Sequence, residues 1–121
     1  MPAEPTGSFF ADPGALASNG AGCERRGLFE GAEISTTVIA GPPAEVALHL
    51  HRVHDEFGYL IAGSGQLRIG DQAHELVPGS AWGIVRGTAH SATFTSAYRL
   101  LSWFAPADDP ATPDRIELGP A

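Results

Sequence analysis

The stretch His49-Leu50-His51-Arg52-Val53-His54-Asp55-Glu56-Phe57-Gly58-Tyr59-Leu60-Ile61-Ala62-Gly63 decides how this sequence is read. Glu45 to Arg52 alternates, with Val46, Leu48 and Leu50 on one face and Ala47, His49 and His51 on the other. That period of two is a strand, and it points both imidazoles the same way. Glu56 to Ala62 reads as a second strand, closed by Gly63-Ser64-Gly65. The five-residue step from His51 to Glu56 cannot keep one face on a single continuous strand. A hairpin turn through Arg52 to Asp55 resolves this and sets His51 directly opposite Glu56, with Cβ atoms about 5 Å apart. The same register sets Gly58 opposite His49, where a missing side chain leaves room for water or substrate. His90 opens a later strand just after a turn and is placed to add a fourth group. Two histidines, a carboxylate and a distant histidine at these positions point to one chelated ion.

Outward from this stretch, the chain is punctuated at short intervals. It has 121 residues, of which Gly supplies 15 and Pro 10, so long helices are excluded and short strands joined by turns are favoured. Strands are predicted over Ile34 to Ala40, Gln66 to Ile69, Ala73 to Val77, Ala81 to Val85, His90 to Thr95 and Ala97 to Ala105. Gly70-Asp71 marks a two-residue hairpin, and Pro78-Gly79 and Arg86-Gly87-Thr88 mark further turns. Such spacing means an all-β sandwich or small barrel. Residues 1–32 read as an arm whose Phe9-Phe10 pair could dock on the body, 33–105 as the barrel, and 106–121 as a Pro-rich tail. Within the tail, Ile116 and Leu118 suit one short edge strand.

Charge and cysteine content exclude several classes. The formal net charge is -7, all seven basic residues are Arg, and there is no Lys. An acidic domain without a basic cluster repels phosphate backbones, so nucleic acid is not an expected partner. Lack of Lys removes Schiff-base and P-loop chemistry. One cysteine, Cys23, excludes an internal disulfide and a Cys-rich zinc module. No apolar run approaches the ~20 residues of a membrane span, and the first residues do not read as a secretion signal. A cytoplasmic setting is the expectation.

At this point the ligand pattern resembles a known family. His49-Leu50-His51, four residues, Glu56, six residues and Gly63 match the first motif of the cupins, H-x-H-x(3,4)-E-x(6)-G. The second motif, G-x(5)-P-x-G-x(2)-H-x(3)-N, aligns on Gly79, Gly87 and His90, with Val85 and Phe94 in place of its Pro and Asn. The 15 residues between the motifs, Ser64 to Pro78, are similar to compact bacterial members. The resemblance covers roughly Ile34 to Phe104. It implies a conical, jelly-roll-like β-barrel (a double-stranded β-helix) with a metal held by His49, His51, Glu56 and His90. Three neutral imidazoles and one carboxylate suit Fe, Mn, Ni, Co, Cu or Zn, and ligand type alone does not choose among them. Open coordination positions imply a metal-dependent enzyme on a small organic molecule. An oxygenase-type oxidoreductase is favoured over an isomerase, lyase, decarboxylase or cyclase, with Glu56 the candidate to double as a base. The alternative is a non-catalytic ligand-sensing module.

Other residues take lesser roles in this reading. His54 falls in the predicted turn and is expected to be solvated, as a substitute ligand only if His49 points elsewhere. His74 is expected at the surface, and Asp55 faces away from the site. Tyr59 lies on the face of the strand opposite to that of Glu56 and is expected to pack in the core or an interface. Tyr98, Arg99, Trp82 and Trp103 either line the barrel mouth or pack. Cys23 is an incidental or buried thiol. Specificity is assigned to barrel-lining candidates Leu60, Trp82, Ile84, Phe94 and Trp103. On the back of the His-bearing hairpin, Leu48, Leu50, Phe57, Tyr59 and Ile61 would form one apolar stripe, which predicts a homodimer or cover by the arm.

Overall fold

A computed structural model describes residues 23–30, 33–109 and 111–121. Phe9 and Phe10 lie outside the described residues. Ten strands are present and no helix among the described residues: β1 (Glu24–Glu30), β2 (Ser35–Gly41), β3 (Ala44–His51), β4 (Asp55–Ala62), β5 (Gly65–Ile69), β6 (Gln72–Leu76), β7 (Ala81–Ile84), β8 (His90–Phe94), β9 (Tyr98–Ala105) and β10 (Arg115–Gly119). They form two antiparallel sheets, ordered β1-β2-β9-β4-β7 and β10-β3-β8-β5-β6. The all-β, jelly-roll-like reading holds. β10 is the predicted edge strand around Ile116 and Leu118. β1 arises inside the stretch read as an arm: Glu24-Arg25-Arg26-Gly27 has no apolar alternation, and its pairing with β2 supplies the order.

Only β1–β2 and β5–β6 are sequence neighbours paired in one sheet. The second is the hairpin predicted at Gly70-Asp71, with Ile69 opposite Gln72 and Gly70 at a φ of 60°. Every other consecutive pair of strands changes sheet. The corner at Gly63 requires glycine: its φ is 109°, and a Cβ would sit 2.8 Å from the Ala97 carbonyl oxygen.

This alternation overturns the β3–β4 hairpin. β3 pairs with β8 and β10, whereas β4 pairs with β7 and β9. His51 and Glu56 therefore face each other across the barrel interior, not along one sheet. The connection Arg52-Val53-His54 lacks the Asn-Gly or Asp-Gly pair that a tight hairpin needs, so long-range pairing decides. Gly58 is not opposite His49. It pairs with Trp82 and Ser102, and a Cβ there would overlap the Trp82 indole ring. Its bare backbone makes room for tryptophan, not for water or substrate.

The strict alternation read across Glu45 to Arg52 is also corrected. β3 pairs with β8 through Ala44–Phe94, Glu45–Thr93 and Val46–Ala92, then shifts register before His49–His90. The β-bulge inverts the parity, so Ala44 and Val46 share the inward face with His49 and His51. Between the sheets, Leu60, Leu67, Leu76, Ala92, Phe94, Tyr98 and Leu100 form the buried core, with Ala44 and Val46 packed against it. The Phe94 and Tyr98 rings stack at 3.9 Å. The apolar stripe is split in consequence: Leu48 and Leu50 lie on one sheet, and Phe57, Tyr59 and Ile61 on the other.

Gly58→Ala should destabilise the fold by about 1–3 kcal/mol through the forced shift of Trp82. Chemical denaturation checks this; unchanged stability would mean that Trp82 does not pack on Gly58.

Candidate metal centre

Three strands bring the four motif residues to the interior. His49 and His51 come from the C-terminal half of β3, beyond the bulge. His90 is the first residue of β8 and pairs directly with His49, and Glu56 projects from β4 in the facing sheet. Their ligand atoms all lie within 4.8 Å of one another. Donors about 2.0–2.2 Å from one ion stand roughly 3–4 Å apart, so this quartet is close to a coordination shell. The ring centroids of His49 and His90 are 4.2 Å apart, and those of His49 and His51 are 5.1 Å apart.

The hydrogen bonds orient the rings. His49 Nδ1 lies 2.6 Å from the Ala47 carbonyl oxygen, and His90 Nδ1 lies 2.9 Å from that of Thr88. His51 Nδ1 lies 3.0 Å from Asp114 Oδ1. With Nδ1 donating in all three, the Nε2 atoms are the free ligand atoms. His51 Nε2 is 3.4 Å and His90 Nε2 3.8 Å from Glu56 Oε1. His90 Nε2 is buried and has no hydrogen-bond partner. A buried lone pair without a donor, aimed at a carboxylate and two further imidazoles, is what a bound cation would satisfy. The residues fit a divalent ion.

Electrostatics agree. Burial pulls the Glu56 carboxyl up, but contacts from His51 and His90 outweigh it and hold it at about 2. Such a group suits ligation better than proton abstraction near neutral pH. Burial lowers His49 to about 4 despite the Ala47 carbonyl, which keeps it neutral and ready to ligate. His51 also loses by burial, but Glu56 and Asp114 on either side raise it above the usual value.

The ligand atoms open on a cavity of about 610 Å³. Ile39, Val46, Leu67, Leu76, Trp82, Phe94 and Leu100 form much of its wall, and Arg25, Glu45, Arg115 and Glu117 add charge. Among the specificity candidates, Trp82 and Phe94 line it. Leu60 and Ile84 are buried but do not, and Trp103 lies on the other face of β9, half-buried. Tyr98 lines the cavity together with Cys23, while Arg99 is exposed on the opposite face. Tyr59 stands on the outer face, 42% exposed, His74 is at the surface, and Asp55 turns away to bind Arg86.

His54 departs from expectation. It is 4% exposed, with Nδ1 3.3 Å from Asp114 Oδ2 and its ring 4.4 Å from those of His51 and Phe104. The residue predicted to sit in a solvated turn instead buries the corner between sheets. Asp114 was not legible as a site residue, because nothing near it in sequence is part of the ligand pattern.

These shifts set an acid dependence for the metal-free protein. The folded-state value of His49 lies below its unfolded one, so its contribution is complete above about 6.5 and is lost as pH falls towards about 4. Glu56 is likewise depressed, and its contribution is lost between about 4.5 and about 2. His51 is shifted the other way and opposes this near neutrality. Stability should therefore fall continuously below pH 6. Denaturation at a series of pH values, with His49→Gln as the comparison, should show a flatter profile between pH 6 and 4 in the variant.

Comparison with known proteins places these observations. The cupin domain model matches residues 37–104. KdgF from Halomonas sp. superposes with a TM-score of 0.79 at 23% identity, covering 88% of this chain and 100% of that one. An RmlC-like cupin from Shewanella frigidimarina gives 0.79 at 21% identity, covering 88% and 97%. Pac13, described as a nucleoside dehydratase and also solved from Streptomyces with uridine, gives 0.77 at 9% identity, covering 94% and 93%. At these identities the likeness concerns the fold. No curated protein matches the sequence. A double-sheet barrel, the matched domain over more than half the chain and the convergent His/Glu quartet together assign this chain to the cupin family.

Proposed function

We propose that this cupin is a metal-dependent enzyme acting on a small organic molecule, of the oxygenase type. The observation that carries the reading is the unpartnered Nε2 of His90, converging with His49, His51 and Glu56 at the wall of a cavity lined by both apolar and charged residues. A bound divalent ion supplies Lewis acidity there and, if redox-active, the electron transfer an oxygenase needs. The chain's own residues supply the rest. Val46, Leu76, Trp82 and Phe94 exclude water around the apolar part of a bound molecule, while Arg25, Glu45, Arg115 and Glu117 in the same wall offer partners to polar groups. His49 stays neutral, and Glu56 balances part of the ion's charge. Asp114, the buried carboxylate at the site, is engaged with three hydrogen-bond donors, with His54 Nδ1 3.3 Å away, and does not serve as a free base. That favours activation at the metal over separate acid–base chemistry. Glu56 remains the candidate base only where its own ligation is released.

Purified protein should carry about one ion per chain. His51→Ala and Glu56→Ala should each abolish stoichiometric binding, and His74→Ala should not. Protein loaded with Fe(II) should consume dioxygen in the presence of a true substrate. A small molecule bound and recovered unchanged would favour the sensing module instead, and no metal uptake by reconstituted protein would end the metal reading.

We also propose a homodimer through the outer face of the β4 sheet. Phe57, Tyr59 and Ile61 are 50%, 42% and 42% exposed there, and Phe57 and Tyr59 pair laterally with Trp103 and Leu101. A second copy would bury this face against itself. Light scattering should report twice the chain mass, and Tyr59→Arg should halve it. A cytoplasmic setting belongs to the same reading, and the single cysteine, Cys23, is compatible with it. Among the described residues no helix is long and apolar enough to cross a membrane.

A further inference from the structure

The tail brings to the metal centre a residue that the ligand motifs do not contain. We infer that Asp114 is a positioning residue that fixes His51 as a ligand, making the segment that leads into β10 part of the site. This inference rests on the metal reading above.

Asp114 is 8% exposed, and its carboxylate gathers four groups. Oδ1 lies 3.0 Å from His51 Nδ1. Oδ2 accepts from the Val53 amide at 2.8 Å and the His54 amide at 3.3 Å, and lies 3.3 Å from His54 Nδ1. One side chain thus ties together a metal ligand and the whole corner that carries the chain from one sheet to the other.

A neutral imidazole carries one proton. An ionised carboxylate at Nδ1 requires that proton on Nδ1, which leaves the Nε2 lone pair for the ion. His49 and His90 achieve the same with carbonyls two residues away in sequence, so their orientation is local. His51 depends on a residue 63 positions away. Retention of the ion should therefore require the tail to be docked.

His51, His54 and Asp114 also satisfy the spacing of a three-ligand group. His54 Nε2, like His90 Nε2, is buried without a hydrogen-bond partner, yet two observations favour a hydrogen-bonded clamp over a second ion. Oδ2 is already taken by two backbone amides, and His54 does not line the cavity.

The test is a competition titration of the full chain with zinc, paired with long-range nitrogen-15 NMR of the His51 ring in the metal-free protein at alkaline pH. Asp114→Ala should weaken zinc binding by about 10- to 100-fold and should abolish the dominance of the Nδ1–H tautomer. Asp114→Asn keeps the volume, but its single oxygen cannot serve both His51 and the amides, so it should move both readouts the same way. Asp71→Ala, in the β5–β6 turn, should move neither. A purely structural tail would lower thermal stability while leaving His51 in its Nδ1–H form. Retention of that tautomer, or zinc affinity within twofold of the unmodified chain, would overturn the inference. Should both Asp114 variants fail to fold, the unmodified protein decides: an Nε2–H form of His51 sinks the proposal. Absence of zinc binding in every chain would count against the metal reading, while the tautomer would still report on the clamp.

Discussion

Between Val46 and His49 the pairing of β3 with β8 slips by one residue, and this slip sets what the interior contains. Before it, β3 presents Ala44 and Val46 to the apolar core. After it, the same face presents His49 and His51. Without the bulge, the parity that buries Val46 would turn both imidazoles outward. One strand thus builds both the floor of the cavity and half of the ligand set, and His90 meets His49 because β8 follows the shifted register.

Collecting polar groups inside a small apolar barrel is costly unless each finds a partner. The barrel meets this with a division of labour at the histidines. Every Nδ1 is held by protein, two by nearby carbonyls and one by Asp114, while the Nε2 atoms are turned to a common point. His90 Nε2 is left without a hydrogen-bond partner among them. Glu56 supplies the opposing charge from the other sheet. The site is therefore a joint between sheets, and its geometry depends on how the corner at Arg52 to His54 is held.

Much of this was legible from local pattern. Glycine and proline at Gly63, Pro78-Gly79 and Gly87 mark corners because few other residues fit such backbone angles. The four ligand residues follow from their spacing and from the cupin resemblance. Local pattern misleads where a residue's neighbours in sequence are not its neighbours in space. His51 to Glu56 was read as a hairpin because the two strands are adjacent in the chain. Gly58 was read as space for a ligand, whereas the partner that needs that space is Trp82, 24 positions on. His54 was read as solvated because turns usually are, and Asp114 was passed over within a Pro-rich tail.

The sequence by itself determined the strand-and-turn character of the chain, its candidate ligand residues and its acidic net charge. These depend on backbone preference, side-chain type and net charge, which need no knowledge of distant contacts. Tertiary structure alone decided which sheet each strand joins, where the bulge falls, which face of β4 is left exposed and which residue holds His51. Those outcomes come from hydrogen-bond pairing between strands remote in sequence. A one-residue shift there moves every side chain to the other face, and no local pattern records it.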